Sequence, residues 1–255
     1  MRFASLGSGS QGNSLVVEAG ETRLLLDCGF GLAATIARLA RLGLVPEDLC
    51  GIVVTHEHDD HIGGVARLAR RHGIPVWLTP GTLAGFEALF AGVADLRLIH
   101  NYEAFAVGDL QVQPFPVPHD AREPAQFVFG DGAFRLGVLT DVGCSTRHIE
   151  AVLSGCDALV LECNHDTEML RTGSYPQRLR ERIAGRFGHL DNDTAAELLR
   201  RLDNGRLKHL VAAHLSQENN RPELARAALS AVMNCAPEWI AIADQDEGLD
   251  WRQIG

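Results

Sequence analysis

Apolar residues occur along this chain in short runs rich in Val, Ile and Leu, separated by glycine, asparagine and aspartate, a pattern that predicts a strand-rich α/β protein. Three such runs open the chain and predict hairpin-like pairing: Arg2–Leu6, Ser14–Glu18 and Thr22–Asp27. Later strands are predicted over residues 51–55, 76–79, 96–100, 105–117, 126–130, 133–139, 157–162, 209–213 and 239–243. Helical spacing predicts helices over residues 33–42, 63–71, 82–91, 146–153, 176–185, 194–203 and 222–233.

The predicted strands fall into two blocks, and helices accompany each block. This order favours two sheets that pack face to face with helices on the outside. The chain has 255 residues, enough for one large α/β domain with a sizeable core. No internal repeat, low-complexity tract or linker divides it, so we expect residues 1–255 to form a single domain.

Composition narrows the class of protein without identifying it. Apolar residues make up 46% and charged residues 22% of the chain, as in an ordinary soluble globular protein. The net charge of −10 does not indicate a nucleic-acid binder, although a local basic cluster could still serve one. No apolar stretch reaches membrane-spanning length, and the N-terminus does not resemble a signal peptide. The six cysteines form no CxxC pair, so we expect reduced thiols and a cytoplasmic location. We also expect no membrane partner and no obligate protein partner.

The segment His56–His61 reads HEHDDH and carries the densest chemistry in the chain. It directly follows the apolar run Gly51–Thr55. In an extended chain, side chains two positions apart point the same way, so His56, His58 and Asp60 share one side. His61 would then turn inward as a helix begins. Imidazoles with a few carboxylates bind zinc, and also manganese or iron, so we interpret this segment as a metal site rather than a solvated turn.

Polar residues also follow four later strands of the predicted sheets. The residues are His119 after the run 111–117, Asp141 after 134–139, Glu162 at the end of 157–162, and His214 after 209–213. Five strand ends would therefore deliver polar side chains to one edge of a sheet. This set contains the further ligands that a metal site at HEHDDH needs.

The loop Gly7–Gly12 reads GSGSQG and matches the GxGxxG pattern of dinucleotide sites. That pattern requires a helix at the third glycine, whereas residues 13–18 favour a strand, so we predict a tight turn between strands. Successive backbone N–H groups in such a turn can form a nest for an anion. We therefore consider Ser8, Ser10 and Asn13 as candidate contacts to a substrate phosphate, with a purely structural turn as the alternative.

HEHDDH, together with the later His119, Asp141 and His214, resembles the pattern of the metallo-β-lactamase superfamily, which is HxHxDH followed by His, Asp and a last His. The resemblance spans essentially the whole chain and implies an α/β fold, the αββα four-layer sandwich. It also implies two divalent metal ions, with Zn²⁺ expected first and Mn²⁺ as the alternative. The implied ligands are His56, His58 and His119 for metal one, Asp60, His61 and His214 for metal two, and Asp141 as the bridge.

Several branches of that superfamily differ from this chain. Class B β-lactamases typically have cysteine at the position of Asp141. Glyoxalase-type thioesterases carry a helical substrate domain after the core, but only 41 residues follow His214. The β-CASP nucleases insert a large domain between the bridging Asp and the last His, an interval of only 73 residues in this chain. Flavodiiron oxidoreductases replace the second histidine of HxH with glutamate, whereas this chain has His58.

What remains resembles the YycJ/WalJ-type branch, which is associated with DNA processing as a 5′→3′ exonuclease. The resembling segments are SGSQGN at 8–13, LDCG at 26–29, PHDA at 118–121, ECNHD at 162–166, GHL at 188–190 and HLSQENN at 214–220. The resemblance implies a phosphodiesterase that cleaves nucleic acid through a metal-bridged hydroxide. A small-molecule metallohydrolase acting on a cyclic phosphodiester, lactone or thioester stays open as the alternative, as does a metal-binding protein without catalysis.

The same resemblance implies roles in catalysis as well as in metal binding. Asp60 would orient the nucleophile, and His189, oriented by Glu162, would be the general acid for the leaving oxygen. His165 and Asn192 are further candidate substrate contacts. Asp191 stands where the GHLSN form has serine, and an acid there would repel an anion unless it caps the helix.

Five arginines lie between residues 171 and 186, beside the predicted catalytic loop. They are Arg171, Arg178, Arg180, Arg182 and Arg186. A charged run of this kind is usually a solvated helix face. The alternative is a set of contacts to the backbone of a nucleic-acid strand.

Overall fold

Two seven-stranded sheets form the centre of the protein, which a computed structural model describes over all residues 1–255. The strands are β1 (Arg2–Gly7), β2 (Ser14–Ala19), β3 (Thr22–Leu26), β4 (Gly51–Val53), β5 (Val76–Leu78), β6 (Leu96–Leu98), β7 (Phe105–Val107), β8 (Leu110–Pro116), β9 (Ala125–Gly130), β10 (Arg135–Leu139), β11 (Ala158–Glu162), β12 (His209–Ala213), β13 (Ala241–Ile242) and β14 (Leu249–Gln253). The first sheet has the order β14-β1-β2-β3-β4-β5-β6, and the second β13-β12-β11-β10-β9-β8-β7. Each sheet combines antiparallel pairs, such as β1–β2 and β8–β9, with parallel pairs, such as β3–β4 and β10–β11.

Ten α-helices surround the sheets. They are α1 (Leu32–Arg41), α2 (Asp59–Ile62), α3 (Val65–His72), α4 (Pro80–Leu83), α5 (Glu87–Phe90), α6 (Arg147–Leu153), α7 (Thr167–Thr172), α8 (Gln177–Ile183), α9 (Asn192–Arg201) and α10 (Pro222–Met233). Short 3-10 turns occupy Pro46–Asp48 and Pro237–Trp239. None of the ten helices has the length and hydropathy needed to cross a membrane.

Three clusters of buried apolar side chains hold the layers together. One cluster lies between the two sheets, a second lies under α6, α9 and α10, and a third lies under α1 and α3. Strand β11 shows the alternation that produces this arrangement, because Ala158 and Val160 face the cluster between the sheets while Leu159 and Leu161 face the helices. The predicted four-layer αββα sandwich is therefore confirmed.

Several predicted elements were wrong in detail. The helix predicted over 82–91 is two single turns, α4 and α5, because the chain between them includes Gly85 in a left-handed conformation with a φ of 86°. The strand predicted over 105–117 is a hairpin that turns at Gly108, where φ is 53°. Helix α7 and strand β14 were not predicted. The strands that precede the candidate ligands His119, Asp141 and His214 nevertheless end within one residue of the predicted positions.

Candidate active site

All seven candidate metal ligands converge at one edge of the sandwich. His56 and His58 lie in the segment between β4 and α2, and Asp60 and His61 lie on α2 itself. The later ligands each follow a strand of the second sheet: His119 after β8, Asp141 after β10 and His214 after β12. Because β10, β11 and β12 are parallel neighbours, the loops that follow them meet at the same edge of that sheet.

Three residues at this edge have an unusual backbone conformation. Asp27, Asp141 and His214 have φ values of 59°, 51° and 56°, in the left-handed region. Residues other than glycine rarely adopt this conformation, and those that do concentrate at functional sites. Each of the three closely follows a strand, so the strained turn redirects its side chain into the cluster.

The first group of ligands consists of three imidazoles. Nδ1 of His58 lies 3.0 Å from Nε2 of His56 and 3.2 Å from Nε2 of His119. Tetrahedral coordination with metal–nitrogen bonds near 2.05 Å separates neighbouring nitrogens by about 3.3 Å. Both distances are therefore close to the separation expected around one shared tetrahedral ion.

The second group of ligands consists of one carboxylate and two imidazoles. Oδ2 of Asp60 lies 3.4 Å from Nε2 of His61 and 3.5 Å from Nε2 of His214. Asp141 lies between the two groups, with Oδ2 3.1 Å from His61 Nε2 and Oδ1 3.9 Å from His119 Nε2. Its carboxylate is thus within reach of both groups, as a bridging ligand must be.

The outward-facing ring nitrogens of these histidines also fit a metal site. Four contact an outer partner: His56 Nδ1 contacts Thr55 Oγ1 at 2.9 Å, His61 Nδ1 contacts Asp27 Oδ2 at 2.8 Å, His119 Nδ1 contacts the Gly188 carbonyl at 3.1 Å, and His214 Nδ1 contacts Glu162 Oε1 at 2.9 Å. Outer partners of this kind fix the tautomer and the ring orientation of metal-binding histidines. Each of these four imidazoles therefore presents its other nitrogen to the cluster.

Two buried polar atoms in the cluster lack any hydrogen-bond partner. They are Oδ2 of Asp141 and Nε2 of His214. A buried polar atom without a partner costs free energy, so such an atom usually has a ligand, a water or an ion beside it. A divalent cation satisfies both atoms at once, and the residues present therefore fit the metals that the sequence implies.

Asp27 is the buried acid behind His61. Its carboxylate accepts hydrogen bonds of 2.8 Å from both the backbone N–H and the hydroxyl of Thr55, and it contacts His61 Nδ1 at the same distance. Burial raises the pKa of Asp27, and the neighbouring His61 partly opposes that rise. Burial lowers the pKa of His61, but the carboxylates of Asp141 and Asp27 outweigh it and raise that pKa well above its usual value.

We expect Asp27→Asn to lower metal affinity by about 10–100-fold, because the amide replaces the carboxylate that orients the His61 ring. Asparagine tolerates the left-handed backbone at this position, so the fold should persist. Competition with a chelator measures the affinity, and the melting temperature of the metal-free protein checks the fold. Asp109→Asn, which alters a carboxylate bonded to the Glu21 N–H, is the matched control. Unchanged affinity in Asp27→Asn would refute this role.

Ser8 and Asn13 are buried and position other residues. Asn13 donates to Asp60 Oδ2 at 3.2 Å and accepts from the Gly9 N–H at 2.9 Å, while Ser8 Oγ accepts from the His214 N–H at 2.9 Å. The backbone N–H groups of Ser8, Gly9, Gln11 and Gly12 are all bonded within the protein. These four N–H groups are therefore not free to form the anion nest considered for this loop, which makes the predicted turn between strands β1 and β2.

Glu162 is fully buried and connects the cluster to His189. Its Oε1 lies 2.9 Å from Nδ1 of both His189 and His214. The carboxylate also accepts backbone N–H groups, from Asp141 at Oε1 and from Val142 and Leu190 at Oε2, each at 3.0 Å. Burial raises its pKa, but the histidine charges and hydrogen bonds outweigh burial and lower the pKa of Glu162 to about 2. Glu162 is thus an ionised carboxylate that contacts both His189 and His214 and also accepts three backbone N–H groups.

A cleft of about 400 Å³ opens over the cluster. Its floor includes Asp60, Asp141, His189 and His214. Helix α8 and the residues before it form one wall, which presents Tyr175, Leu179, Arg182 and Ile183. Ser10 and Ser216 line the same cleft. The candidate metal ligands are therefore accessible from solvent through a cleft whose walls carry both apolar and charged side chains.

The five arginines of 171–186 do not form one basic stripe. Only Arg182 lines the cleft, where its Nε lies 2.6 Å from Asp120 Oδ2. Arg171 pairs with Glu168, and Arg180 reaches the Arg171 carbonyl. Of the five arginines, one side chain therefore makes the basic contribution to the cleft.

The other candidate substrate contacts lie in different places. Ser10 is exposed and lines the cleft. Asn192 is buried and exchanges two hydrogen bonds of 2.9 Å with Asn220. His165 is also buried and lines a second cavity instead of the cleft. Of the five candidates, only Ser10 lines the cleft, whereas Ser8 and Asn13 contact the candidate ligands from within the protein.

Asp191 is the N-cap of α9, with Oδ1 accepting the N–H groups of Asp193 and Thr194 at 2.9 Å. This is the capping role under which an acid is tolerated at that position. Helix α9 starts at Asn192, two residues before the start that the sequence predicts. Two of the N–H groups in the first turn of α9 are thus satisfied by the protein itself.

Sequence reasoning missed three residues that shape the site. Asp27 was noted only as the end of the predicted strand Thr22–Asp27 and as part of LDCG, Thr55 only as the end of a strand, and Tyr175 not at all. The position of Asp27 directly after a strand was a usable signal, because the same position identified Asp141 and His214. Nothing in the local sequence of Tyr175 indicates that it faces a cleft.

Comparisons with known proteins agree with this geometry. The family model described as the beta-lactamase superfamily domain matches residues 22–214. The chain belongs to the β-lactamase superfamily. The metallo-β-lactamase fold protein YhfI from Bacillus subtilis superimposes with a TM-score of 0.76 over 98% of both chains, at 16% identity, which supports the fold alone.

Two curated relatives place the chain more closely, in the YycJ/WalJ branch. Exodeoxyribonuclease YycJ of Bacillus anthracis is 39% identical over 235 residues, which is 91% of this chain and 89% of the relative. Exodeoxyribonuclease WalJ of Streptococcus pneumoniae is 36% identical over 257 residues, 98% of this chain and 92% of the relative. The predicted membership in this branch is therefore confirmed.

Proposed function

We propose that this protein, as one hydrolase domain over residues 1–255, is a metal-dependent phosphodiesterase that degrades DNA as a 5′→3′ exonuclease. The observation that carries the proposal is a buried cluster of seven ligands, with its unsatisfied Asp141 oxygen, in a chain similar along its length to two exodeoxyribonucleases. We also propose a cytoplasmic location, which the six free thiols support.

We propose that the seven ligands hold two divalent ions, divided as the resemblance implies. Five imidazoles and two carboxylates favour Zn²⁺, with Mn²⁺ as the alternative. Such ions would lower the pKa of a bound water and stabilise negative charge on phosphoryl oxygens. His214 and the buried Asn13 both contact the Asp60 carboxylate and hold it in one orientation. Asp60 would then serve as a metal ligand and direct the nucleophile.

The chain's own groups would handle the leaving oxygen. His189 lines the cleft, and its Nδ1 is held by the ionised Glu162, so Nε2 is the nitrogen available to a substrate. The Glu162 carboxylate fixes the orientation of the ring through this contact, as the buried acid does in other acid–base pairs. We propose that His189 donates a proton from Nε2 to the leaving 3′ oxygen, with Glu162 as its positioning residue.

The experiment that tests this function uses metal-depleted protein reloaded with Zn²⁺ or Mn²⁺. Single- and double-stranded DNA labelled at the 3′ end, with and without a 5′ phosphate, should be shortened progressively from the 5′ end. RNA, a cyclic nucleotide and a lactone serve as competing substrates. Faster turnover of a small substrate, with no DNA shortening under any metal, would establish the small-molecule hydrolase instead.

We expect Arg182→Gln to weaken DNA binding and to reduce the slope of log affinity against log salt by roughly one unit at most. Hydrolysis of bis(p-nitrophenyl) phosphate should barely change, because that substrate has no extended backbone. Arg97→Gln, which also removes an arginine paired with an aspartate (Asp95), is the control on the edge strand β6. An unchanged slope would mean that Arg182 is solvated and makes no contact with DNA. A loss of activity on both DNA and bis(p-nitrophenyl) phosphate would mean that Arg182 acts by positioning Asp120.

A further inference from the structure

Helix α8 separates two cavities and buries none of its own residues. One face presents Leu179, Arg182 and Ile183 to the metal cleft. The opposite face presents Gln177, Arg180 and Ala184 to a second cavity of about 400 Å³, which we call the His165 cavity. The helical repeat places these two sets of residues on opposite sides. None of its side chains is fully buried, so both faces of the helix are available to contact a ligand.

The His165 cavity contains a buried imidazole with an open nitrogen. His165 is only 2% exposed, and its Nδ1 contacts Asn164 Oδ1 at 3.3 Å. Its Nε2 makes no hydrogen bond to any protein group, yet the ring lines the cavity. This nitrogen can therefore form a hydrogen bond with a ligand that enters the cavity. The cavity therefore offers one specific hydrogen bond at its base.

The walls of the His165 cavity suit a flat, neutral group better than a phosphate. Leu170 and Ala184 provide apolar surface. The charges nearly cancel, because Arg171 is paired with Glu168 and the lining includes both Arg180 and Glu181. Arginine side chains stack on aromatic rings even where their charge is balanced. The volume also lies in the range of small-molecule sites and exceeds what one planar heterocycle needs.

We propose that the His165 cavity binds a nucleobase of the substrate strand, on the far side of α8 from the metal cluster. The proposal rests on the proposed nuclease function and adds a base-binding subsite to it. Consecutive residues connect the two spaces, since Asn164 lines the cleft and His165 lines the cavity. A helix is about 10 Å across, so the bound base belongs to a nucleotide near the scissile phosphate but not at it.

The first test fills the cavity. Ala184 is exposed, so Ala184→Trp should fold while its indole occupies the base site; Ala184→Ser, which adds little volume, is the matched control. Stacking of one base contributes about 1–3 kcal/mol, so Ala184→Trp should weaken binding of single-stranded DNA by about 5–150-fold. Hydrolysis of bis(p-nitrophenyl) phosphate, which does not reach the cavity, should be unchanged. Unaltered DNA binding would overturn the proposal.

The second test locates the base. An oligonucleotide series with one abasic position moved along the strand should show one position where base removal weakens binding to wild type, but not to Ala184→Trp. If base removal lowers the affinity by the same factor in both proteins at every position, the proposal is overturned. If Ala184→Trp also loses hydrolysis of the small diester, His165→Leu replaces it, and the position-specific cost must then vanish in His165→Leu or the proposal fails.

These binding measurements distinguish the subsite from the nuclease function. They use metal-free protein and 2-aminopurine fluorescence of the labelled strand, so they need no turnover. DNA shortening with no position-specific base cost refutes the subsite and leaves the nuclease function intact. A position-specific cost in a protein that shortens no DNA retains the base site and refutes the nuclease function.

Discussion

His58→Ala should yield a folded protein that holds less metal than wild type and has no measurable hydrolase activity. Nδ1 of His58 lies between Nε2 of His56 and Nε2 of His119, so its removal opens the first group of ligands. The side chain is 29% exposed, which makes it the ligand in that group whose loss disturbs packing least. Metal content by mass spectrometry, together with turnover of DNA and bis(p-nitrophenyl) phosphate, measures the effect.

The control for this change is His72→Ala, which removes a histidine that contacts Glu47 at 2.8 Å outside the cluster. It should keep both metal and activity. The melting temperature of the metal-free variants should be similar, since neither histidine belongs to an apolar cluster. Wild-type metal content in His58→Ala would remove His58 from the ligand set and with it the assignment of the first group.

The metal cluster could be predicted from the sequence because its signals are local. HEHDDH is one contiguous segment, and Asp141 and His214 each follow an apolar run that forms a buried strand. The αββα layers could be predicted for a similar reason, since strands buried on both faces give short apolar runs. Once an apolar run is assigned as a strand, the residue that follows it is placed at the edge of the sheet.

The surroundings of the cluster could not be predicted in the same way, because they depend on contacts between distant segments. Ser8 was considered as a candidate phosphate contact, but it accepts a hydrogen bond from the backbone of His214, more than two hundred positions away in the chain. The spacing of α8 residues indicates a helix, yet no local pattern shows that it has a cavity on each side. Such contacts follow from how the layers pack rather than from any one segment.

Glu162 also has a larger role than its sequence context implied. The resemblance suggested a residue that only orients His189, so that Glu162→Ala would have a weaker effect than His189→Ala. The structure shows that it also contacts His214 and accepts three backbone N–H groups. Removing a fully buried charged partner typically costs about 3–5 kcal/mol. Glu162→Ala should therefore lose stability and metal as well as proton transfer.

His189→Ala should keep the metal content of wild type yet lose about 10²–10⁴-fold in turnover of DNA and alkyl phosphodiesters. The alkoxide that departs from these substrates is a poor leaving group and needs the proton that His189 supplies. The loss should be far smaller for bis(p-nitrophenyl) phosphate, whose leaving group departs without a proton. Turnover of the two substrate classes, measured beside metal content, gives the comparison. His148→Ala, a change outside the cleft, is the control.

Glu162→Gln separates the positioning role from the structural one, because it keeps the side-chain volume while removing the charge beside His189. It should reproduce the leaving-group dependence of His189→Ala with a smaller loss of stability than Glu162→Ala. If His189→Ala instead slows good and poor leaving groups equally, proton donation is the wrong role. His189 would then bind the phosphoryl group and stabilise its charge in the transition state, which helps both substrates alike.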